Sequence, residues 1–155
     1  MYNTSSFGVK GNVTASKTFP NGFSLSAFAD DADPLDAADL QVADAAVGVN
    51  GDMIVWSRPG MIEITVAVIF GSVDDQNLDA LLDANRVAKG KTSANDVCNV
   101  SYTYPSGMTV NMGPGIIKSG VIVPKISSNG RIMTRHYVFQ FEQVTKSGQS
   151  QTAQV

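Results

Sequence analysis

Hydrophobic and polar residues alternate with period two along most of this chain. Over 61–70, Ile62, Ile64, Val66, Val68 and Phe70 share one side, and Met61, Glu63, Thr65, Ala67 and Ile69 share the other. Near the C-terminus Met133, Tyr137, Phe139 and Phe141 point one way, while Ile132, Thr134, His136, Val138, Gln140 and Glu142 point the other. Arg135 interrupts the apolar side, which places the start of that strand on a wet rim and its end in the core. Such patterning is what an antiparallel sheet with one solvated face requires. It predicts strands near 6–17, 23–28, 40–49, 53–58, 61–70, 97–104, 108–112, 115–123 and 131–144. Turn signals separate them: Asn21-Gly22, Asn50-Gly51 and Asn129-Gly130, whose residues tolerate the positive φ of tight hairpins, and Pro105-Ser106-Gly107.

One segment breaks to helical spacing. Ser72-Val73-Asp74-Asp75 reads as a capping box, with Leu78, Leu81, Leu82 and Val87 as a narrow apolar stripe behind it and Gly90 closing the helix after Lys89. Many strands and one helix over 73–88 predict a mainly β fold, two packed antiparallel sheets as a sandwich or barrel, with the helix flanking a sheet face. The chain of 155 residues fits one domain over 1–146 with a polar tail over 147–155. A core of that size needs no disulfide or metal staple.

Charge alters the picture in one place. Between Asp30 and Asp52 lie seven aspartates (Asp30, Asp31, Asp33, Asp36, Asp39, Asp44 and Asp52) with no lysine, arginine, histidine, serine, cysteine or glutamate. This acidic loop over 29–52 predicts a segment that meets another protein or a polyanion rather than a catalytic site. The net charge is −3 and the 11 basic residues are scattered, which argues against a phosphate-binding stripe. No basic-then-apolar leader opens the sequence and no apolar run approaches membrane length, so neither a signal peptide nor a membrane span is expected.

Candidate chemistry is sparse. Asp31, Asp33 and Asp36 have roughly the spacing of a calcium loop, but glycine at loop position six and glutamate at twelve are absent. His136 is the only histidine and nothing sets it beside Ser101 or Asp96 as a triad would need. Cys98 reads as a small strand residue, and Trp56 as core or sheet-face packing with a binding role as the alternative. The glycines around Gly113-Pro114-Gly115 precede no helix and form no phosphate loop. No catalytic, metal-ligating or cofactor-binding residues are assigned, and no enzyme is expected. Thr65, Ala67, Ser101, Thr103, Thr109 and Asn111 give several strands a small or polar second face, which faces water in a monomer and a channel in a ring.

The segment from Ala27 to Ile69, then GSVDDQNLDALLDANRVAKGK, then the strands ending YVFQFEQV, resembles the tail tube proteins of contractile-tailed bacteriophages over about 3–145. The resemblance implies two sheets with a flanking helix, a fold shared with the hemolysin-coregulated protein of type VI secretion. It implies hexameric rings whose sheets join into one inner barrel, stacked into a tube that conducts viral DNA inside a contractile sheath. Implied partners are further copies of the chain, the sheath protein, and baseplate and tail-terminator proteins; the implied location is the phage tail, assembled in the host bacterial cytoplasm. In that setting Ala29–Asp52 corresponds to the stacking loop. Its aspartates have Arg86, Lys89, Lys91, Arg131 and Arg135 as candidate partners on a neighbour. The alternatives are a baseplate tube-initiator of the same fold, or a monomeric β-sandwich that binds calcium or carbohydrate.

Overall fold

The computed structural model describes residues 4–148. Its strands are β1 Lys10–Ala15, β2 Phe19–Leu25, β3 Leu35–Ala37, β4 Ala43–Val47, β5 Met53–Ser57, β6 Ile62–Val68, β7 Cys98–Thr103, β8 Thr109–Gly120, β9 Arg135–Phe141 and β10 Val144–Ser147, with one helix, α1 Val73–Ala84. Eight strands form one antiparallel sheet in the order β2-β1-β7-β8-β9-β6-β3, with β10 added beside β8; β4 and β5 form a separate hairpin. The mainly β architecture with one flanking helix is as expected.

The segment after β2 turns back onto β6 and draws the large sheet round on itself. On leaving β2 the chain crosses to the free edge of β6: Phe28 bridges Val68, Ala29 N–H donates to Ala67 O (3.2 Å) and Ile69 N–H donates to Ala27 O (3.0 Å). β3 then continues along β6, with Leu35 opposite Val66. The inner faces of the strands thus share one core, including Val13, Leu25, Ile64, Val66, Val68, Val100, Tyr102, Tyr137, Phe139 and Phe141. Leu78, Leu81 and Leu82 of α1 enter the same core, and burial of each such side chain contributes about 1.5–3 kcal/mol.

Two expected strands, 108–112 and 115–123, are one: β8 runs through Gly113–Pro114, a cis peptide. The half before it pairs with β10 and the half after it with β9. Conversely 131–144 divides, with β9 beginning only at Arg135 and β10 following Phe141. The tail expected over 147–155 begins at the end of β10, and beyond Gly148 it lies outside the described residues.

Asn21-Gly22 does not make the β1–β2 turn. It lies inside β2, where the register slips from Val13↔Phe23 to Ala15↔Phe19. The turn falls at 16–18, because the buried Asp96 carboxylate accepts the N–H groups of Lys17 (2.7 Å) and Thr18 (3.0 Å). The other turn signals hold: Gly51, Gly107 and Gly130 all take positive φ at chain reversals.

Ser72 caps α1 as expected, accepting Asp75 N–H at 3.1 Å. Asp75 reaches back to Gly71 N–H (3.1 Å), one residue beyond the cap itself. The helix expected over 73–88 stops at Ala84, because Asn85 turns its side chain onto Leu81 O (2.9 Å) and Asp96 (2.9 Å). Val87 is therefore exposed and off the stripe, and Gly90 serves a tight turn between Ala88 and Lys91.

Arg135 is corrected from wet rim to interior. It is 4% exposed, with Nη2 on Asp79 (2.9 Å), Nε near Asp75 (3.5 Å), a contact to Val121 O, and its guanidinium over the Tyr137 ring. Two helix carboxylates supply the counter-charge without which a buried guanidinium is costly.

Candidate assembly surfaces

The stretch from Asp30 to Asp52 divides into two pieces of different chemistry. In the first, Asp30 and Asp31 are tied within the chain: Asp30 meets Arg131 at 2.6 Å, Asp31 lies 4.0 Å from it and accepts Thr134 Oγ1. The Arg131 hydrogen bond holds the Asp30 carboxyl below its ordinary value, and the same pairing raises Arg131. Asp33, Asp36 and Asp39 are exposed. Among the described residues no group of three His, Cys, Asp or Glu side chains converges to hold a metal ion.

The second piece is the β4–β5 hairpin, and its character is apolar. β4 and β5 pair from Ala43↔Ser57 to Val47↔Met53 and pack chiefly on each other. One face carries Ala43, Ala45, Val47, Met53 and Val55; the other carries Ala46, Ile54 and Trp56 above an Asp44–Arg58 pair at 3.1 Å. Both faces are open: Val55 is 56% and Trp56 47% exposed. Trp56 is thus corrected from core or sheet-face packing to a projecting position. Alternation alone does not distinguish a strand that covers the core from one that stands clear of it. Asp52 sits at the tip, where Gly48 N–H donates to Asp52 O (2.7 Å). Arg58 also donates to Gln41 (3.1 Å), and Leu40 lies against Gly60, which fixes the root.

Two of the other candidate cations are occupied locally. Arg86 pairs with Asp83 (3.1 Å), Lys91 Nζ donates to Asp83 O and Arg86 O, and Lys89 is exposed. His136 lies half-buried on the outer face opposite Ala67, with no hydrogen bond to Ser101 or Asp96 among the described residues. Cys98 is fully buried in β7, and burial, reinforced by Asp96, pushes its thiol up to about 11.

A third surface is the outer face of β2-β1-β7-β8-β10. Register places Ser24 beside Asn12, Asn12 beside Ser101, Ser101 beside Asn111, and Asn111 beside Thr145. A parallel row runs through Lys10, Thr103, Thr109 and Ser147, so Lys10 is the one ionic side chain on these two rows. Ser101, Thr103, Thr109 and Asn111 share this surface as expected; Thr65 lies on β6, and Ala67 is buried instead of facing outward freely. At the ends of the leaf, β2 and β10 each pair with one strand among the described residues. The missed members, Asn12, Thr14, Asn99 and Thr145, carried a signal in the polar positions between Val13, Ala15, Val100 and Tyr102.

This curled antiparallel sheet with a flanking helix and a projecting hairpin is a known fold. It aligns with a chain of the six-fold-symmetrised anti-feeding prophage baseplate (TM-score 0.56, 11% identity, 96% of this chain and 97% of that one). It aligns equally with a chain from the sheath/tube terminator of an extracellular contractile injection system (0.56, 12%, 96% and 99%) and with one from the anti-feeding prophage cap (0.52, 11%, 95% and 92%). No curated protein matches the sequence. The sequence profile of the family described as tail fiber protein gp32 matches residues 2–145, and the chain belongs to that family.

Proposed function

We propose that the chain is a structural, non-catalytic ring subunit of a contractile phage tail, a hexameric tube component through which DNA leaves the capsid. The observation that carries this reading is the β2-β1-β7-β8-β10 leaf: two edges unpaired among the described residues bound one continuous face of hydroxyls and amides. An open edge invites pairing with another strand. Pairing β10 of one copy to β2 of the next repeats by rotation, and a rotation that closes makes a ring. The near-neutral face then lines the bore, where a polyanion is not held as it would be by basic walls. Assembly in the host cytoplasm is part of the proposal; the family description and the contractile-system neighbours support a tail setting within the virion. There the sheath, baseplate and terminator proteins are the expected partners.

A second reading is a ring that starts or ends the tube instead of repeating along it. It is favoured by the neighbours coming from a baseplate, a terminator and a cap. Negative-stain electron microscopy with light scattering on the purified protein tests both. Stacked hollow tubes support the repeating subunit, and single six-fold rings that never stack support the terminal ring. A monomer at every concentration and salt would sink the ring reading.

A further inference from the structure

The three Asn-Gly pairs of this chain sit in three different environments. Such a pair can modify itself. Glycine carries no side chain to block the approach, so its nitrogen can swing onto the asparagine amide carbon and close a five-membered ring. The turns at 48–52 and 127–131 share one backbone design. Gly48 N–H donates to Asp52 O (2.7 Å) and Gly51 N–H to Gly48 O (2.9 Å); Ser127 N–H donates to Arg131 O (2.8 Å) and Gly130 N–H to Ser127 O (3.1 Å). Gly51 and Gly130 take φ of +88° and +86°, the left-handed residue that follows a type I turn in such hairpins. A Cβ would meet nothing within 4 Å at either glycine.

The asparagine side chains differ. Asn129 Oδ1 accepts the Ser127 hydroxyl and Arg131 N–H (3.2 Å), and Ser127 Oγ accepts Asn129 N–H (3.1 Å). The other turn has Gly48 in place of Ser127, and the exposed Asn50 amide has no hydrogen-bond partner among the described residues. Asn21-Gly22 lies inside β2, where a Cβ on Gly22 would meet Thr14 Cγ2 at 2.7 Å and Val13 O at 2.9 Å. That packing blocks the swing.

We infer that Asn50-Gly51 is a self-modification site of the folded chain, where the amide becomes a carboxylate with water as the only co-reactant. The Gly51 nitrogen gives its proton to solvent and bonds to Asn50 Cγ; the Cγ–Nδ2 bond breaks and the amide nitrogen leaves as ammonia. Water then opens the succinimide. Opening at Cγ gives aspartate, and opening at the main-chain carbonyl gives isoaspartate. Nothing is oxidised or reduced. The Gly51 N–H must first leave Gly48 O. That opening is local to the tip of a hairpin that packs chiefly on itself, which places it at the low end of the opening free energies. At Asn129 the side-chain bonds must break as well. The product places a new carboxylate two residues from Asp52, and the isoaspartyl branch adds one carbon to the main chain within the turn.

Incubation of the purified full chain at mildly alkaline pH, followed by peptide mapping in a mass spectrometer, tests this. The expected result is a gain of about 1 Da at Asn50. It should appear about tenfold or more faster than at Asn129, the worth of the extra hydrogen bonds there, with Asn21 slowest. Two substitutions exchange the environments. Gly48→Ser places a Cβ in ordinary contact with Asp52 O (3.5 Å) and Ile54 Cδ1 (3.6 Å), and should slow Asn50 several-fold. Ser127→Gly should speed Asn129 several-fold. In the urea-unfolded chain the gap between the two sites should close. Asn129 reacting as fast as Asn50 in the folded chain would overturn the inference. So would a gap that persists unchanged in urea, or a folded chain inert at Asn50 while the unfolded chain reacts there.

Discussion

Asp96 offers the sharpest test of how this barrel is held together. Its carboxylate, on a residue 3% exposed, accepts Lys17 N–H at 2.7 Å, Thr18 N–H at 3.0 Å, Asn85 Nδ2 at 2.9 Å and the Thr18 hydroxyl. Asp96 N–H in turn donates to Asn85 Oδ1 at 2.9 Å. One side chain therefore fixes the β1–β2 turn and the end of α1. Asp96→Ala strands two backbone donors and an amide, each costing about 1–3 kcal/mol when left unpaired. With partial rescue by water, the expected loss is about 3–5 kcal/mol, or a fall in Tm of roughly 6–20 °C for a chain of this size. Urea unfolding followed by circular dichroism reads the first number and a thermal scan the second.

The same site carries a pH signature. Burial raises the Asp96 pKa, but the hydrogen bonds from Thr18, Asn85 and Lys17 outweigh it and hold the folded value below 3.8. A depressed folded value means the contribution is whole above the unfolded pKa and drains away as pH falls through the folded one. Stability of the native chain should decline below about pH 4. Asp96→Asn, which cannot titrate, should decline less steeply over that window. A loss under about 1 kcal/mol in the alanine variant, or identical acid slopes in the native and asparagine proteins, would refute the clamp.

Three further outcomes are expected. Gly115→Ala should destabilise by at least about 2 kcal/mol in urea unfolding, because a Cβ there overlaps Gln140 O, the Phe141 ring and Phe141 Cα. Val55→Asp should leave the monomer's Tm within about 2 °C of native, since the side chain is exposed on a projecting strand, yet abolish assembly by light scattering. Leu81→Ala, truncating a fully buried residue of α1, should cost about 2–5 kcal/mol by denaturant titration.

Much of the barrel was legible because burial writes itself into period two. Ile64, Val66 and Val68 had to face inward on any antiparallel reading, and they do. The departures share a cause: side chains that act across the fold rather than along it. Asp96 moves the β1–β2 turn from Asn21-Gly22 to 16–18 from 79 positions away, and Asn85 ends the helix at Ala84 while its amide is held by that same Asp96, 11 positions on. Arg135 looked like a rim residue because its carboxylates sit on a helix more than fifty positions earlier. Among the candidate surface residues, aspartates drew attention to 30–52 as an acidic unit. The fold shows acid at its start and an apolar hairpin at its end, a division that composition over a window averages away.

The leaf from Ser24 to Thr145 has a consequence for how ionic conditions act on it. Binding to a phosphate chain tightens on dilution because cationic side chains displace condensed counterions. Across these two rows only Lys10 could do so. A logarithmic salt slope of at most about −1 follows. Fresh water and brine would leave this face almost equally weak toward a phosphate chain, so its indifference to polyanions would be set by the covalent sequence and not by the medium.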